Sequence, residues 1–187
     1  IGAGFYHREC FQSQETITAE IESHNFPEIV EIADVPCDQR DTMGLEAAYV
    51  YGPFSVQSEY FLGWINPIGQ PTAQWSGFYA EASYFLTGEH RRYKKSSGAF
   101  DRIKPFENFF CVLDCDGCCR TGLGAWQAKY RWAYVDMYDG GSLAGVGALP
   151  QIGTHTVGMN WYLNPYTRMM FEYIHAGLPV VVSDFPE

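Results

Sequence analysis

The sequence predicts an all-β fold: an antiparallel transmembrane β-barrel to which this chain supplies about seven or eight strands. Three observations carry that expectation. Apolar residues recur at every second position through the later two-thirds of the chain, a pattern that a 3.6-residue helical period would scatter around a cylinder. The apolar positions hold Trp, Tyr, Phe and Met with small Ala and Gly between them, whereas a soluble sandwich fills its core mostly with Val, Ile and Leu. Mean hydropathy is only −0.19, and apolar runs such as Leu178-Pro-Val-Val-Val182 fall far short of the roughly 18 residues a membrane helix needs. Alternating strands average out on any hydropathy scale, so a mild mean is what a barrel wall gives. With 47% hydrophobic and 17% aromatic residues, the 187-residue chain is too apolar to be disordered.

Each strand can be justified in turn. Leu45, Ala47, Tyr49 and Tyr51 share one face and Glu46 lies on the other. Gly52-Pro53 is a tight turn into the next strand, where Phe54, Val56, Ser58, Tyr60, Leu62 and Trp64 oppose Ser55, Gln57 and Glu59. Phe78, Ala80, Ala82, Tyr84 and Leu86 oppose Tyr79, Glu81 and Ser83. The clearest case runs from Gly122 to Asp136, with Trp126, Ala128, Tyr130, Trp132 and Tyr134 against Gln127, Lys129 and Arg131. Val157, Met159, Trp161 and Leu163 follow, then a turn at Asn164-Pro165, then Met169, Phe171 and Tyr173 against Arg168 and Glu172. Six strands are thus predicted, with longer links over residues 65–73, 88–121 and 138–153. With both tight turns on one side, Tyr51, Phe54, Trp126 and Trp161 fall near one membrane interface, and Trp64, Phe78 and Tyr134 near the other. Two aromatic belts are the mark of an outer-membrane wall whose polar face lines water.

Charge and chemistry narrow the function. The chain carries 22 acidic and 12 basic residues, and this net charge of −10 argues against nucleic acid as a partner. The polar strand faces mix basic Lys129, Arg131 and Arg168 with acidic Glu46, Glu59, Glu81 and Glu172. Lys129 and Arg131, two apart on one face, are the best anion contact among the strands; the plainer alternative pairs them with neighbouring carboxylates such as Glu81. The link over residues 88–121 holds seven of the 12 basic residues, among them Arg91, Arg92, Lys94 and Lys95. It is too long for a plain turn. Either it folds into the lumen as a basic constriction, or it is a solvated flap. Residues 1–42 hold nine acids against Arg8 and Arg40, which at a pore mouth would favour cations.

Six cysteines are present, four of them as Cys111, Cys115, Cys118 and Cys119. Disulfides among these four are favoured over a zinc site, because no second well-spaced pair or nearby His completes a metal set; the spacing leaves three pairings open. The Gly-rich stretch Gly140-Gly-Ser-Leu-Ala-Gly-Val-Gly147 lacks the Gly-Lys-Ser/Thr ending of a phosphate-cradling loop. No nucleophile, carboxylate-pair or His-Glu-x-x-His motif is found, so neither catalysis nor a cofactor or metal is expected.

Several segments together resemble a known family. Gly52-Pro-Phe-Ser-Val-Gln-Ser-Glu-Tyr-Phe61, Gly77-Phe-Tyr-Ala-Glu-Ala-Ser-Tyr-Phe-Leu-Thr-Gly-Glu89, Gly124-Ala-Trp-Gln-Ala-Lys-Tyr-Arg131 and Gly158-Met-Asn-Trp-Tyr-Leu-Asn-Pro165 are similar to the phosphate-selective porin O and P family of Gram-negative outer membranes. The match runs in order from about Gly44 to Ala176, while residues 1–42 match loosely. The resemblance implies a sixteen-stranded barrel in the outer membrane, a homotrimer, and a water-filled channel for small ions or phosphate-like anions. A barrel of that size needs on the order of 300 residues or more. Residues 1–187 are therefore expected to be the C-terminal portion of one barrel domain, lacking upstream strands and the final strand. Two other readings compete: a secreted β-sandwich or carbohydrate-binding module, and a plugged structural barrel.

Overall fold

The computed structural model describes residues 1–10, 14–19, 30–69, 71–110, 112–113, 117, 119–137 and 151–177. Among the described residues there are twelve strands: β1 (Gly2–Glu9), β2 (Gln14–Ala19), β3 (Val30–Tyr51), β4 (Phe54–Pro67), β5 (Ala73–Phe85), β6 (Tyr93–Lys94), β7 (Ala99–Phe100), β8 (Val112–Leu113), β9 (Cys119–Arg120), β10 (Ala125–Asp136), β11 (Gln151–Asn164) and β12 (Thr167–Gly177). One sheet dominates, in the order β1-β3-β4-β5-β10-β11-β12, with β2 paired to the outer part of β3. Every pairing in it is antiparallel. Among the described residues the sheet does not close on itself, and β1 and β12 are its edges. The pairs β6–β7 and β8–β9 are separate short hairpins within the 88–121 link.

The registers keep the two faces of the sheet distinct across six strands. On one face the row Tyr51, Phe54, Tyr84, Ala128, Met159 and Phe171 runs strand to strand through directly opposed residues. On the other, Ala48, Gln57, Glu81, Arg131, Thr156 and Ile174 form a similar row. A slip of one residue anywhere would mix them, so the alternation in the sequence is what fixes this pairing. The aromatic face is exposed: Tyr49, Tyr51, Phe171 and Tyr173 are each more than half accessible.

All six predicted strands are present; the first tight turn falls at Gly52-Pro53 as expected, and the second, expected at Asn164-Pro165, falls one residue later at Pro165-Tyr166. Three differences have physical reasons. The link predicted over 65–73 is shorter, because β4 continues to Pro67 and turns at Ile68-Gly69. β1 and the first half of β3 were not anticipated, and β3 reaches 22 residues. At about 3.3 Å per residue a strand of that length far exceeds a membrane wall. Beyond the wall both faces meet water, so no apolar face is needed and the period-2 signal fades. Finally, the 88–121 link is not structureless, since it holds β6 to β9. The Gly-rich stretch 140–147 lies outside the described residues.

The buried apolar side chains collect at the two ends of the polar face. At the end far from the tight turns, Cys10, Val35, Cys37, Ile65, Ala73, Met137 and Ile152 pack together. At the turn end Phe85, Ile103 and Ala125 form a second cluster, with Tyr162 against it. Between them the face is polar. Cys10 and Cys37 are joined by a disulfide across a 27-residue separation with Cα atoms 5.7 Å apart, which clamps the base of the β2–β3 hairpin. The sequence expectation had placed the disulfides at Cys111, Cys115, Cys118 and Cys119. Cys111, Cys115 and Cys118 lie outside the described residues, as does the side chain of Cys119.

Candidate functional site

The polar face is organised by hydrogen bonds that run across strands. Ser55 and Ser83 share a 2.8 Å hydroxyl–hydroxyl bond, and Gln127 Nε2 donates to Ser83 Oγ at 2.8 Å. Asn160 Nδ2 and Tyr162 OH each donate to Gln127 Oε1 at 3.0 Å. Four strands are thereby cross-linked near the turn end. Next along the face, Lys129 is ion-paired with Glu172, two strands away in the row Ser83, Lys129, Gly158, Glu172. The bare Gly158 between them makes this reach possible: a Cβ there would come within 2.7 Å of Lys129 Cε.

A second group lies further from the turns. Gln57 Nε2 donates to Tyr79 OH at 3.2 Å, and Tyr79 OH donates to Glu59 Oε1 at 2.8 Å. The Arg131 guanidinium stacks on the Tyr79 ring, 3.8 Å from its centroid, a contact that gives both position and cation–π attraction. Glu81 is the register partner of both Gln57 and Arg131, and Glu46 is directly opposite Glu59.

The 88–121 link folds back over this band. Its first anchor is Glu89, only 3% exposed, which accepts from Thr87 Oγ1 and from the Phe106 amide at 3.1 Å. Thr87 in turn accepts the Trp126 amide at 3.0 Å, tying the link to the start of β10. Ile103 plugs into the cluster with Phe85 and Ala125, the Phe109 amide donates to Leu163 O at 2.8 Å, and Arg102 lies 5.1 Å from the Tyr166 ring centroid. Held this way, the β6–β7 hairpin presents Arg91 to the wall: Nη1 donates to Gln57 Oε1 at 2.8 Å, and the guanidinium lies 4.1 Å from the Phe100 ring centroid. A cavity of about 600 Å³ lies between hairpin and wall, lined by Glu46, Gln57, Glu59, Tyr79, Arg91 and Phe100 among others.

The structure therefore sorts the sequence candidates. Arg91 and Arg131 come together around Gln57 and Tyr79, with Glu59 and Glu46 beside them. Lys129 pairs with a carboxylate, as the plainer sequence alternative has it, but that carboxylate is Glu172, two strands away, and not the example Glu81. Arg92, Lys94 and Lys95 are exposed on the hairpin and do not join Arg91 at the wall. Arg168 is exposed at the turn end, 5.6 Å from the Tyr162 ring centroid. Gln57, Tyr79 and Phe100 were not singled out in the sequence, although the parity of Gln57 and Tyr79 already put them on the polar face.

The opposite face carries the aromatic residues that the sequence assigns to two belts. Trp126 and Trp161 are register partners, stacked with centroids 4.8 Å apart, and both indole N–H groups donate to Leu123 O at 3.2 and 2.8 Å. Tyr51 and Phe54 close the neighbouring turn. At the other end Phe78 packs edge-on to Trp132 at 4.8 Å and lies 6.1 Å from Tyr134. Trp64 is opposite Gln74 and Asp41, where the outward face becomes polar. From Phe54 to Trp64 the strand advances about 33 Å, which a barrel tilt of some 40° reduces to about 25 Å, the height of an outer-membrane apolar band.

An exposed aromatic face, a hydrogen-bonded polar face and a segment folded over the polar side define a sector of an outer-membrane β-barrel. Residues 22–177 match the family Phosphate-selective porin O and P, and the chain belongs to that family. It is 32% identical over 140 residues to Porin O of Pseudomonas aeruginosa, covering 71% of this chain and 29% of that protein. It is also 30% identical over 117 residues to an uncharacterized protein of Caulobacter vibrioides, covering 63% of this chain and 22% of the other. The chain thus spans less than a third of the length of these relatives. Its place is the outer membrane of Gram-negative bacteria.

Proposed function

We propose that this chain forms part of the wall, and the narrowest part of the lumen, of a porin that conducts small ions and solutes by diffusion. The observation that carries the proposal is Arg91, brought from the 88–121 link onto Gln57 of the polar wall. A channel of this kind has no catalytic step. It exchanges a solute's hydration for contacts weak enough to release it, and the Gln57, Tyr79, Arg131 and Arg91 group offers such contacts in the path. The barrel is one domain, of which residues 1–187 are the C-terminal sector; seven strands in the main sheet row, with no partner for either edge strand among the described residues, support this. Assembly as a homotrimer in the lipid bilayer belongs to the same proposal.

Selectivity follows from the residues. The family name points to phosphate-like anions, and Arg91, Arg131 and Lys129 supply positive charge on the lumen side. Lys129 is neutralised by Glu172, and Glu46, Glu59 and Glu81 share the wall, so the anion preference here rests chiefly on Arg91. The test is the complete protein in a planar bilayer under a KCl gradient. Stepwise conductance is expected, and Arg91→Glu shifts the reversal potential toward cations by more than Lys94→Glu and Lys95→Glu combined. Absence of steps would refute the channel. An unmoved reversal potential in Arg91→Glu would refute the constriction.

A further inference from the structure

The cavity between the β6–β7 hairpin and the wall changes character along its length. Arg91 reaches into it half-buried, with one N–H on Gln57 and the Phe100 ring centroid 4.1 Å from its guanidinium. Among the described residues no carboxylate is ion-paired with it. An amide and a ring do not neutralise a charge, and a guanidinium has five N–H donors in all. A cation partly withdrawn from water without a counter-ion favours an incoming anion. From Gln57 toward the tight turns the wall is apolar. Ala48 is directly opposite Gln57, and Val50, two residues further along β3, also lines the cavity. The hairpin faces them with Ala99, Phe100 and Tyr93, the two rings edge-on with centroids 5.8 Å apart. The acidic end lies the other way. Glu46 precedes Val50 by four residues on β3, about 13 Å along the strand.

Resting on the reading of this face as the lumen, we propose that the Arg91 end of the cavity binds small monocarboxylates with an apolar body. The carboxylate takes N–H groups of Arg91 that Gln57 leaves free, a charge-assisted contact that suits a guanidinium. The body lies against Ala48 and Val50 of the wall and against Phe100 and Tyr93 of the hairpin, where it displaces water from apolar surface. Acetate gains the guanidinium and leaves that surface wet. Inorganic phosphate also gains the guanidinium without the apolar contact, and its higher charge is repelled more strongly by Glu59, two residues from Gln57 on β4. An uncharged molecule of the same body gains the surface and leaves Arg91 without a counter-ion.

The test is calorimetric titration of the complete protein in detergent with benzoate, acetate, inorganic phosphate and benzyl alcohol, with titrations into protein-free micelles subtracted. Benzoate is expected to bind at least fivefold tighter than each of the other three. Arg91→Gln is expected to remove its margin over benzyl alcohol. Ala48→Asp sets a carboxylate beside Gln57 as an internal counter-ion for Arg91, and is expected to weaken benzoate at least fivefold. Because Ala48 is exposed, this variant serves if Arg91→Gln does not fold. A margin under fivefold over any of the three probes overturns the proposal, as does benzoate binding that either folded variant leaves unchanged. Titration does not depend on ion flow. Benzoate binding without conductance would leave the site standing and the channel reading refuted; conductance without benzoate preference would do the reverse.

Discussion

Gly158 shows how a single missing side chain sets the chemistry of the polar face. Lys129 and Glu172 sit on β10 and β12 and meet only by crossing over β11 at this residue. A Cβ would lie 2.7 Å from Lys129 Cε and 3.3 Å from Glu172 Cγ. Gly158→Val is therefore expected to displace the lysine and cost about 1–2 kcal/mol, read as a lower urea midpoint for the folded protein. Lys129→Met should cost less, about 1 kcal/mol or under, because the pair is partly solvated. Gln127 is the more sensitive position: it is buried and joins Ser83, Asn160 and Tyr162. Gln127→Leu strands those groups without partners, with an expected loss of about 1–3 kcal/mol by the same measurement. The sequence placed Lys129 and Glu172 on polar faces by parity. Their pairing was not legible, because it depends on a glycine on the strand between them.

Among the elements, the strands that face both lipid and lumen were legible and the rest were not. β4, β5, β10, β11 and β12 must segregate apolar from polar residues over their length, and that requirement is written as period 2. β1 and the first half of β3 carry His7, Arg8, Arg40 and Asp41 where the sheet leaves the apolar band, and His7 Nδ1 lies 2.6 Å from Asp41 Oδ1 on the outward face. No periodic signal survives there. The hairpins β6–β7 and β8–β9 have strands of two residues each, too short for any pattern to register. The Cys10–Cys37 bond was missed for a related reason: the clustered cysteines drew the disulfide expectation, while this pair is separated by 27 residues and is joined only because β1 and β3 are neighbours. Closing a loop of that length restricts the unfolded chain by about 3.5 kcal/mol. Reduction, or the Cys10→Ser/Cys37→Ser double variant, should thus lower the unfolding midpoint and expose the β2–β3 hairpin to limited proteolysis, with the β4–β12 sheet remaining protected. Equal cleavage of both forms would contradict the clamp.

At the scale of the whole molecule, sheet and link act as one device. The sheet alone would present a wide polar wall. The link, anchored by buried Glu89 and by Ile103, carries Arg91 back across it. The length of this link argues against a plain turn, so its return over the wall is among the alternatives legible in the sequence; which of its basic residues arrives there is not. That depends on the Glu89 anchor and the β6–β7 turn. The most direct test of the lumen constriction is single-channel conductance of the complete protein with residues 93–100 replaced by a short Gly-Ser turn. If the hairpin occupies the water path, conductance rises well above that of the unaltered protein and the discrimination between chloride and potassium falls. Unchanged conductance and unchanged discrimination would place the hairpin outside the path and contradict the account.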